Sequence, residues 1–232
     1  IKIAKQINSD LSNCCIILDE PSTGLHNTDL DKMKNALYKM KHKNNSVIIV
    51  EHNIKLLSAC DYIVEMGEGG GVNGGNLVLS GKLEVVQNSN TKTMELLRKK
   101  SLDIISSNII NWDRFLMFTD INCNNLCNEQ VKLPLNNLIT VVGVSGSGKS
   151  TLLKIISGIE KDFEGEVYYN DINISKLDEK ERSYFYNNII GFIWQDFNLL
   201  EELTVMENIL LPTQLKERIN KDYIEKILTE LK

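Results

Sequence analysis

The sequence predicts an α/β fold with a mainly parallel β-sheet flanked by helices, and three apolar runs lead to this prediction. CCIILDE at 14–20 and VIIVEH at 47–52 both end in polar side chains, and LITVV at 138–142 leads into a glycine-rich loop. Continuous apolar runs of this length are typical of strands that are buried on both faces. An amphipathic stripe follows the first run and predicts a helix that packs on the sheet, with Leu30, Met33, Leu37 and Met40 on its apolar face.

The glycine-rich loop has the sequence GVSGSGKST at 143–151 and fits the pattern G-x-x-x-x-G-K-[ST] in full. Glycines let the backbone bend round a polyphosphate, so that successive N–H groups and the start of the next helix face the anion. Lys149 would reach the β- and γ-phosphates, and the Ser150 hydroxyl would hold Mg²⁺. An ordinary Gly/Ser turn is the alternative, but the strand before it and the helix after it favour a nucleoside-triphosphate site. The predicted cofactor-binding residues are Gly143, Ser145, Gly146, Ser147, Gly148, Lys149, Ser150 and Thr151.

Two carboxylates, Asp19 and Glu20, end the first apolar run. Ligands bind at the carboxyl edge of strands in open α/β sheets, so this is a candidate metal and catalytic site. We expect Asp19 to hold Mg²⁺ through water and Glu20 to polarise the attacking water. Neighbouring residues of a strand point to opposite faces, which argues against two equivalent metal ligands. A strand end that simply becomes polar at the surface is the alternative.

Composition limits the classes of function. The net charge is −5 and the pI about 5.4, which argues against a large nucleic-acid-binding face within the chain. No apolar run approaches the ~18 residues of a membrane span. The first residue is Ile1 rather than Met, which suggests a fragment. The thiols form no C-x-x-C pair, and Cys123 with Cys127 lacks the partners that a zinc site needs, so reduced thiols and a cytoplasmic location are expected.

Several motifs resemble the ABC ATPase superfamily. LDEPSTGL at 18–25 looks like the Walker B motif and D-loop, and the His26 that follows is similar to the UvrA excision-repair branch. His52, at the end of the run at 47–52, resembles the switch histidine that contacts the γ-phosphate. The stretch 61–75, with its glycine-rich loop at 69–75, also resembles UvrA, as do the segments 124–126 and 131–135. The resemblance covers about residues 1–151 and implies a P-loop NTPase fold of ABC type, ATP and Mg²⁺ as cofactors, and DNA and repair proteins as partners.

The later part of the chain resembles a different branch. Residues 191–212 look like the Q-loop region of transporter ATPases of the lipoprotein-release and macrolide-export type, and the likeness covers about residues 152–232. In that family Gln195 would reach Mg²⁺ and the attacking water. This resemblance implies a membrane permease as partner and a peripheral position at the inner face of the membrane.

The order of the motifs predicts two half-modules. Residues 1–81 match the C-terminal half of an ABC module, 82–112 match a linker, and 113–232 match an N-terminal half. ABC ATPases close each nucleotide site with a signature loop, L-S-G-G-[QE], from a second module, and this stretch does not occur in the 232 residues. A second ABC module would supply it as partner. The two halves could also complement each other as one permuted module.

Three hypotheses about function remain open. The first is a UvrA-type excision-repair ATPase that couples MgATP hydrolysis to conformational work. This hypothesis is favoured by His26, by the glycine-rich stretch and by the order of the two half-modules. It is opposed by the acidic pI and by the lack of cysteine-rich zinc modules. The second is the nucleotide-binding subunit of an ABC exporter. The third is a truncated fragment that binds ATP without turnover.

Finer expectations concern caps and aromatic side chains. Ser175 is a candidate cap for a polar helix at 175–187, and Thr204 with Glu207 forms a capping box. One of three aromatic residues could stack on adenine, although core packing is the alternative for each; they are Trp112, Phe115 and Phe118.

Overall fold

The computed structural model describes residues 12–67, 69, 74–99, 112–193 and 200–211. The chain divides into one unit of residues 10–195 and another of residues 1–9 with 196–232. The described part of the first unit contains a six-stranded, mainly parallel sheet and a four-stranded antiparallel sheet, with helices between the strands. The predicted α/β fold with a mainly parallel sheet is confirmed.

Ten strands form the two sheets in the ranges that the structure describes. The first sheet has the order β10–β1–β2–β7–β3–β4, and the second has the order β6–β5–β8–β9. In chain order the strands are β1 (Cys15–Asp19), β2 (Ser46–Val50), β3 (Tyr62–Met66), β4 (Leu77–Lys82), β5 (Phe115–Cys123), β6 (Leu126–Pro134), β7 (Leu138–Gly143), β8 (Glu164–Tyr169), β9 (Ile172–Asn173) and β10 (Ile190–Ile193).

Seven α-helices connect or follow these strands in the described ranges. They are α1 (Leu30–His42), α2 (Ile54–Leu57), α3 (Leu83–Val86), α4 (Lys92–Lys99), α5 (Lys149–Ile156), α6 (Glu179–Ile189) and α7 (Val205–Leu210), with a short 3₁₀ helix at Ile174–Lys176. The α1 stripe is buried as predicted, because Leu30, Met33, Leu37 and Met40 are all at most 7% exposed. None of the helices in these ranges combines the length and apolar character that crossing a bilayer requires.

Strands from both predicted half-modules share one sheet. β2 pairs in parallel with β7, and their register joins Val47 to Leu138 and Val50 to Val141. β10 joins the opposite side of β1, also in parallel. Every residue of β1 but the last, and every residue of β2, is buried. The predicted buried strands are therefore present, and the early and late parts of the chain complete a common core.

The predicted linker at 82–112 is partly structured where it is described. α3 and α4 follow β4 directly, and Leu83, Met94 and Leu97 are at most 3% exposed. Thr93 on α4 donates a hydrogen bond of 2.6 Å to Glu65 on β3. These contacts attach the first part of this segment to the sheet, and the division into half-modules stays a prediction.

The helix caps agree with the sequence in one case and differ in the other. Thr204 and Glu207 form the predicted capping box at the start of α7. At α6 the cap is Asp178, which forms a capping box with Glu181, so the prediction of Ser175 is wrong. The Ser175 hydroxyl instead accepts a hydrogen bond of 2.9 Å from the Val167 N–H of β8.

The three candidate aromatic residues belong to the core and its edge. Phe118 is 1% exposed within the core, and Trp112 packs edge-on against Tyr62 with ring centroids 5.8 Å apart. Phe115 is the first residue of β5, a strand of nine residues. The phosphate loop contacts Asn125 in the turn that follows the other end of this strand, so Phe115 is a full strand length away from that contact. A strand of that length spans roughly 30 Å. Core packing, the alternative given above, describes Phe118, whereas Trp112 is 42% exposed and Phe115 is half-buried.

A buried ion pair links α1 to β3 and β7. The Lys41 ammonium lies 2.7 Å from the Asp61 carboxylate, and both side chains are at most 9% exposed. Asp61 also accepts a 2.7 Å hydrogen bond from the Leu138 N–H. The carboxylate therefore joins a helix, the start of β3 and the start of the strand that leads to the phosphate loop.

We predict that Lys41→Met lowers the free energy of unfolding by about 3–5 kcal/mol, because it leaves a buried carboxylate without its cation. Lys32→Met is the matched control: Lys32 lies on the same helix and pairs with Asp29, but both side chains are exposed. Removing an exposed pair changes stability little, because water and salt screen the two charges. Urea unfolding followed by circular dichroism measures both variants, and equal losses would contradict the prediction.

Candidate functional site

Three strand ends meet at one edge of the large sheet. The parallel registers place Asp19 of β1 opposite Val50 of β2, and Val50 opposite Val141 of β7. Neighbouring strands lie about 4.8 Å apart, so β1 and β7 are separated by only about 10 Å. The residues that follow these positions are the predicted carboxylate Glu20, the predicted switch residue His52 and the phosphate loop. The fold thus brings together groups that are more than 100 positions apart in the chain.

The phosphate loop, defined here as residues 143–151, joins β7 to α5. Gly143 and Gly148 have φ of +150° and +93°, values that favour glycine, and Gly148 is the N-cap of α5. The Lys149 ammonium donates hydrogen bonds of 2.8 Å to the carbonyls of Gly143 and Val144. The lysine thereby folds back along the loop, next to the N-terminus of the eight-residue helix α5. A glycine-rich loop that leads into a helix N-terminus is the backbone arrangement that suits a bound anion.

The loop residues differ in exposure. Ser145, Gly146 and Ser150 are exposed, and Thr151 is half-buried in the first turn of α5. Ser147 is fully buried, and its hydroxyl has no hydrogen-bond partner among the described residues. The Ser147 side chain therefore points away from solvent, and the exposed surface of the loop is formed by residues such as Ser145, Gly146 and Ser150.

Electrostatics connect the two carboxylates to the loop lysine. Burial raises the pKa of Asp19, the Glu20 carboxylate raises it further, and Lys149 and Lys154 oppose both effects. Burial lowers the pKa of Lys149, whereas Glu20 and Asp19 raise it. The pKa of Asp19 thus responds to Lys149 and the pKa of Lys149 to Asp19, and both respond to the Glu20 carboxylate, as expected of groups that would surround one polyphosphate and its cation.

One argument about Asp19 and Glu20 is wrong. The expectation that they point to opposite faces assumed that both belong to the strand, but β1 ends at Asp19. Glu20 has φ of +44°, in the left-handed region that non-glycine residues seldom adopt, and its N–H donates to the Val50 carbonyl at 3.1 Å. The chain turns sharply at Glu20. Strand alternation therefore does not separate the roles of the two carboxylates, and a backbone strained at this position is itself typical of functional sites.

His52 lies two residues after the end of β2 and is exposed. It borders a cavity of about 640 Å³ whose wall includes Val142, Gly143 and Val144 at the start of the phosphate loop. The predicted switch residue and the loop thus face a common space. His26 is exposed as well, with its Nδ1 3.3 Å from the Thr28 hydroxyl.

Glu51 is a residue of this edge to which the sequence analysis gave no role. It is 1% exposed, and one carboxylate oxygen accepts the N–H of Ser22 at 2.8 Å. The other oxygen accepts the N–H groups of His52 and Asn53, at 3.0 and 3.1 Å. Glu51 therefore ties the turn after Glu20 to the segment that carries His52. The available signal was a carboxylate directly before the histidine, at the end of an otherwise apolar run.

Gln195, the third predicted catalytic residue and a predicted metal ligand, lies outside the described residues. The strand that leads toward it, β10, pairs with β1 from Cys15 opposite Ile190 to Leu18 opposite Ile193. The strand before Gln195 thus neighbours the strand that carries Asp19, and the position of the Gln195 side chain stays a prediction.

Comparison with known proteins identifies the family. Residues 126–232 match the family model described as ABC transporter. The chain is 38% identical over 154 residues to UvrABC system protein A of Helicobacter pylori, covering 66% of this chain and 16% of that protein. It is 41% identical over 195 residues to UvrABC system protein A of Borreliella burgdorferi, covering 83% of this chain and 19% of that protein.

Among solved structures, UvrA2 from Deinococcus radiodurans is 30% identical, with a TM-score of 0.40, over 72% of this chain and 21% of that one. The chain spans less than one fifth of the length of the two curated relatives. The family match and the two relatives agree with the motifs and the strand ends described above. The chain is an ABC ATPase module that resembles the UvrA proteins.

Proposed function

We propose that this chain binds MgATP at the phosphate loop and couples its hydrolysis to conformational work, as a UvrA-type excision-repair ATPase. The observation that carries the proposal is the sheet register, which brings Asp19, Glu20 and the phosphate loop with Lys149 to one edge of the sheet. The pKa shifts of Asp19 and Lys149 agree with this proximity. A phosphate loop alone would support nucleotide binding. The addition of two carboxylates at the same edge supports hydrolysis as well.

The residues present suit a nucleotide and a hard divalent cation. The N-terminus of α5 and the Lys149 ammonium would hold the phosphates, the exposed Ser150 hydroxyl and the Asp19 carboxylate would provide oxygen ligands for Mg²⁺, and Gln195 would join them. The cation, once bound, neutralises charge on the phosphates. Glu20 would then orient and activate the attacking water, and His52 would contact the γ-phosphate.

The arrangement of half-modules is part of the proposal. We infer that residues 1–81 and 113–232 derive from the two halves of ABC modules and that 82–112 links them. Support comes from β2 and β7, which belong to different halves and pair in one sheet. A second ABC module would supply the signature loop. The acidic charge of the chain implies that any DNA-binding surface lies elsewhere in the protein or its partners. A cytoplasmic location is proposed from the same family resemblance.

A second candidate is the nucleotide-binding subunit of an ABC exporter, which would dock on a membrane permease. The observation in its favour is the ABC transporter family match over residues 126–232. The third candidate is an ATP-binding fragment without turnover. Sequence adjoining this chain in the same protein distinguishes the first two, because cysteine-rich zinc modules belong to the first and membrane spans to the second.

We predict that Lys149→Ala weakens MgATP binding by about 1.5–3 kcal/mol, because it deletes a charge-assisted contact to phosphate. Lys32→Ala removes an exposed lysine from α1 and serves as the control with unchanged affinity. Isothermal titration calorimetry measures both. Equal affinity of Lys149→Ala and the wild type would remove the basis for the nucleotide site.

The isolated chain is expected to hydrolyse ATP far below the ~10 s⁻¹ median of enzymes, since no L-S-G-G stretch is present to complete the site. A coupled phosphate-release assay measures the rate, with and without a protein that carries the signature loop. A rate near the median from the chain alone would show that the site is complete without a partner.

A third prediction separates Asp19 from Glu20. With a signature-bearing partner present, Glu20→Gln should keep MgATP affinity and lose about 10²–10⁴-fold in single-turnover cleavage, because a general base contributes to rate rather than to ground-state affinity. Asp19→Asn should instead weaken the magnesium dependence of binding. Titrations of Mg²⁺ and rapid-quench cleavage report both effects. If Glu20→Gln cleaves at the wild-type rate, the base lies elsewhere, with Gln195 and His52 as the next candidates.

A further inference from the structure

Two hydrogen bonds reach the phosphate loop from other parts of the fold. The Asn125 side-chain amide donates to the Gly146 carbonyl at 2.7 Å, from the turn between β5 and β6. The Gly75 N–H donates to the Ser147 carbonyl at 3.1 Å, from the connection between β3 and β4. Consecutive carbonyls of the loop are therefore held by two separate elements. We call Gly74, Gly75 and Asn125 the loop brace.

The brace is packed so closely that it leaves no room for side chains at its glycines. Gly75 has φ of +86°, and a Cβ atom there would lie 1.5 Å from the Asn125 carbonyl oxygen. A Cβ atom on Gly74 would lie 2.7 Å from the Gly146 carbonyl oxygen and 3.1 Å from the Ser147 Cα. The atoms in the way belong to the backbone, which cannot rotate aside as a side chain can. Three backbone segments are thus in direct contact.

Holding a carbonyl also fixes the amide that shares its peptide plane. In a trans peptide the C=O of one residue and the N–H of the next point in opposite directions. The Ser147 N–H is used within the loop, where it donates to the Val144 carbonyl at 3.2 Å. Because Gly75 holds the Ser147 carbonyl, the N–H of Gly148 points away from the brace. Gly148 is the N-cap of α5, where N–H groups face a bound anion.

We propose that Asn125 and Gly75 are positioning residues that hold the phosphate loop in the conformation that binds polyphosphate. They act through the carbonyls of Gly146 and Ser147 and do not themselves touch the ligand. This inference builds on the nucleotide site proposed above and assigns Gly75 and the β5–β6 turn a function at that site. A loop fixed before binding loses less conformational entropy when the ligand arrives, and the gain appears as affinity.

The test replaces the donor while keeping the shape. Asn125→Asp exchanges the N–H donor for an oxygen that faces the Gly146 carbonyl, and we expect roughly tenfold weaker binding of MgATP. The same loss is expected for magnesium tripolyphosphate, which has no base, since the effect lies in the phosphate cradle. Calorimetry measures both ligands, and thermal unfolding without ligand measures the stability of each variant.

Asn122→Asp is the matched control. Asn122 lies in the same hairpin, and its amide donates to the Asp120 carbonyl and the Asn128 side chain, both at 3.2 Å, rather than to the phosphate loop. It should bind both ligands like the wild type. Asn125→Gln keeps an amide donor on a longer side chain and should bind MgATP more tightly than Asn125→Asp.

The outcomes separate the brace from the nucleotide site. If the wild type binds MgATP and Asn125→Asp binds it equally well, the brace proposal is wrong and the site stands. If Asn125→Gln is as weak as Asn125→Asp, or if Asn122→Asp is equally weak, the effect is one of general packing and the brace proposal is overturned. If the wild type binds neither ligand, both proposals fail.

Discussion

The parallel pairing of β2 with β7 is the constraint on which the rest of the structure depends. Its register aligns Val50 with Val141, and the next step along the edge is the hydrogen bond from the Glu51 N–H to the Val141 carbonyl at 3.2 Å. β1 lies on the far side of β2, so the carboxylates at its end and the phosphate loop after β7 become neighbours. Without this pairing the two sets of groups would end separate sheets. The candidate site is therefore a product of sheet register rather than of any single loop.

Glu51 connects two segments at the same edge of the sheet through its hydrogen bonds. A buried carboxylate is costly unless its oxygens are hydrogen-bonded, and here three backbone N–H groups fulfil that requirement. Those groups belong to the turn after Glu20 and to the start of the segment after β2. The segments that carry the proposed base and the proposed γ-phosphate contact therefore share one anchor.

The sequence predicted those features that depend on local chemistry. Continuous apolar runs identified β1, β2 and β7, and the G-x-x-x-x-G-K-[ST] pattern located the turn into α5. Features set by neighbours distant in the chain were not predictable in this way. The Glu20 N–H at the turn bonds to the Val50 carbonyl, and the Ser175 hydroxyl bonds to the Val167 N–H of β8 while Asp178 caps α6. Contacts of this kind leave no periodic pattern in the sequence.

The chain order of the sheet has a consequence for biosynthesis. Val47 and Leu138 are partners in the sheet but lie 91 positions apart in the chain. At about 5–20 residues per second, a ribosome reaches the second partner roughly 5–20 s after the first. During that interval β2 has four apolar residues, Val47 to Val50, and an unpaired edge, a combination that favours association with other chains. Until β7 is synthesised, β2 is therefore a segment of the nascent chain that is prone to associate with other chains.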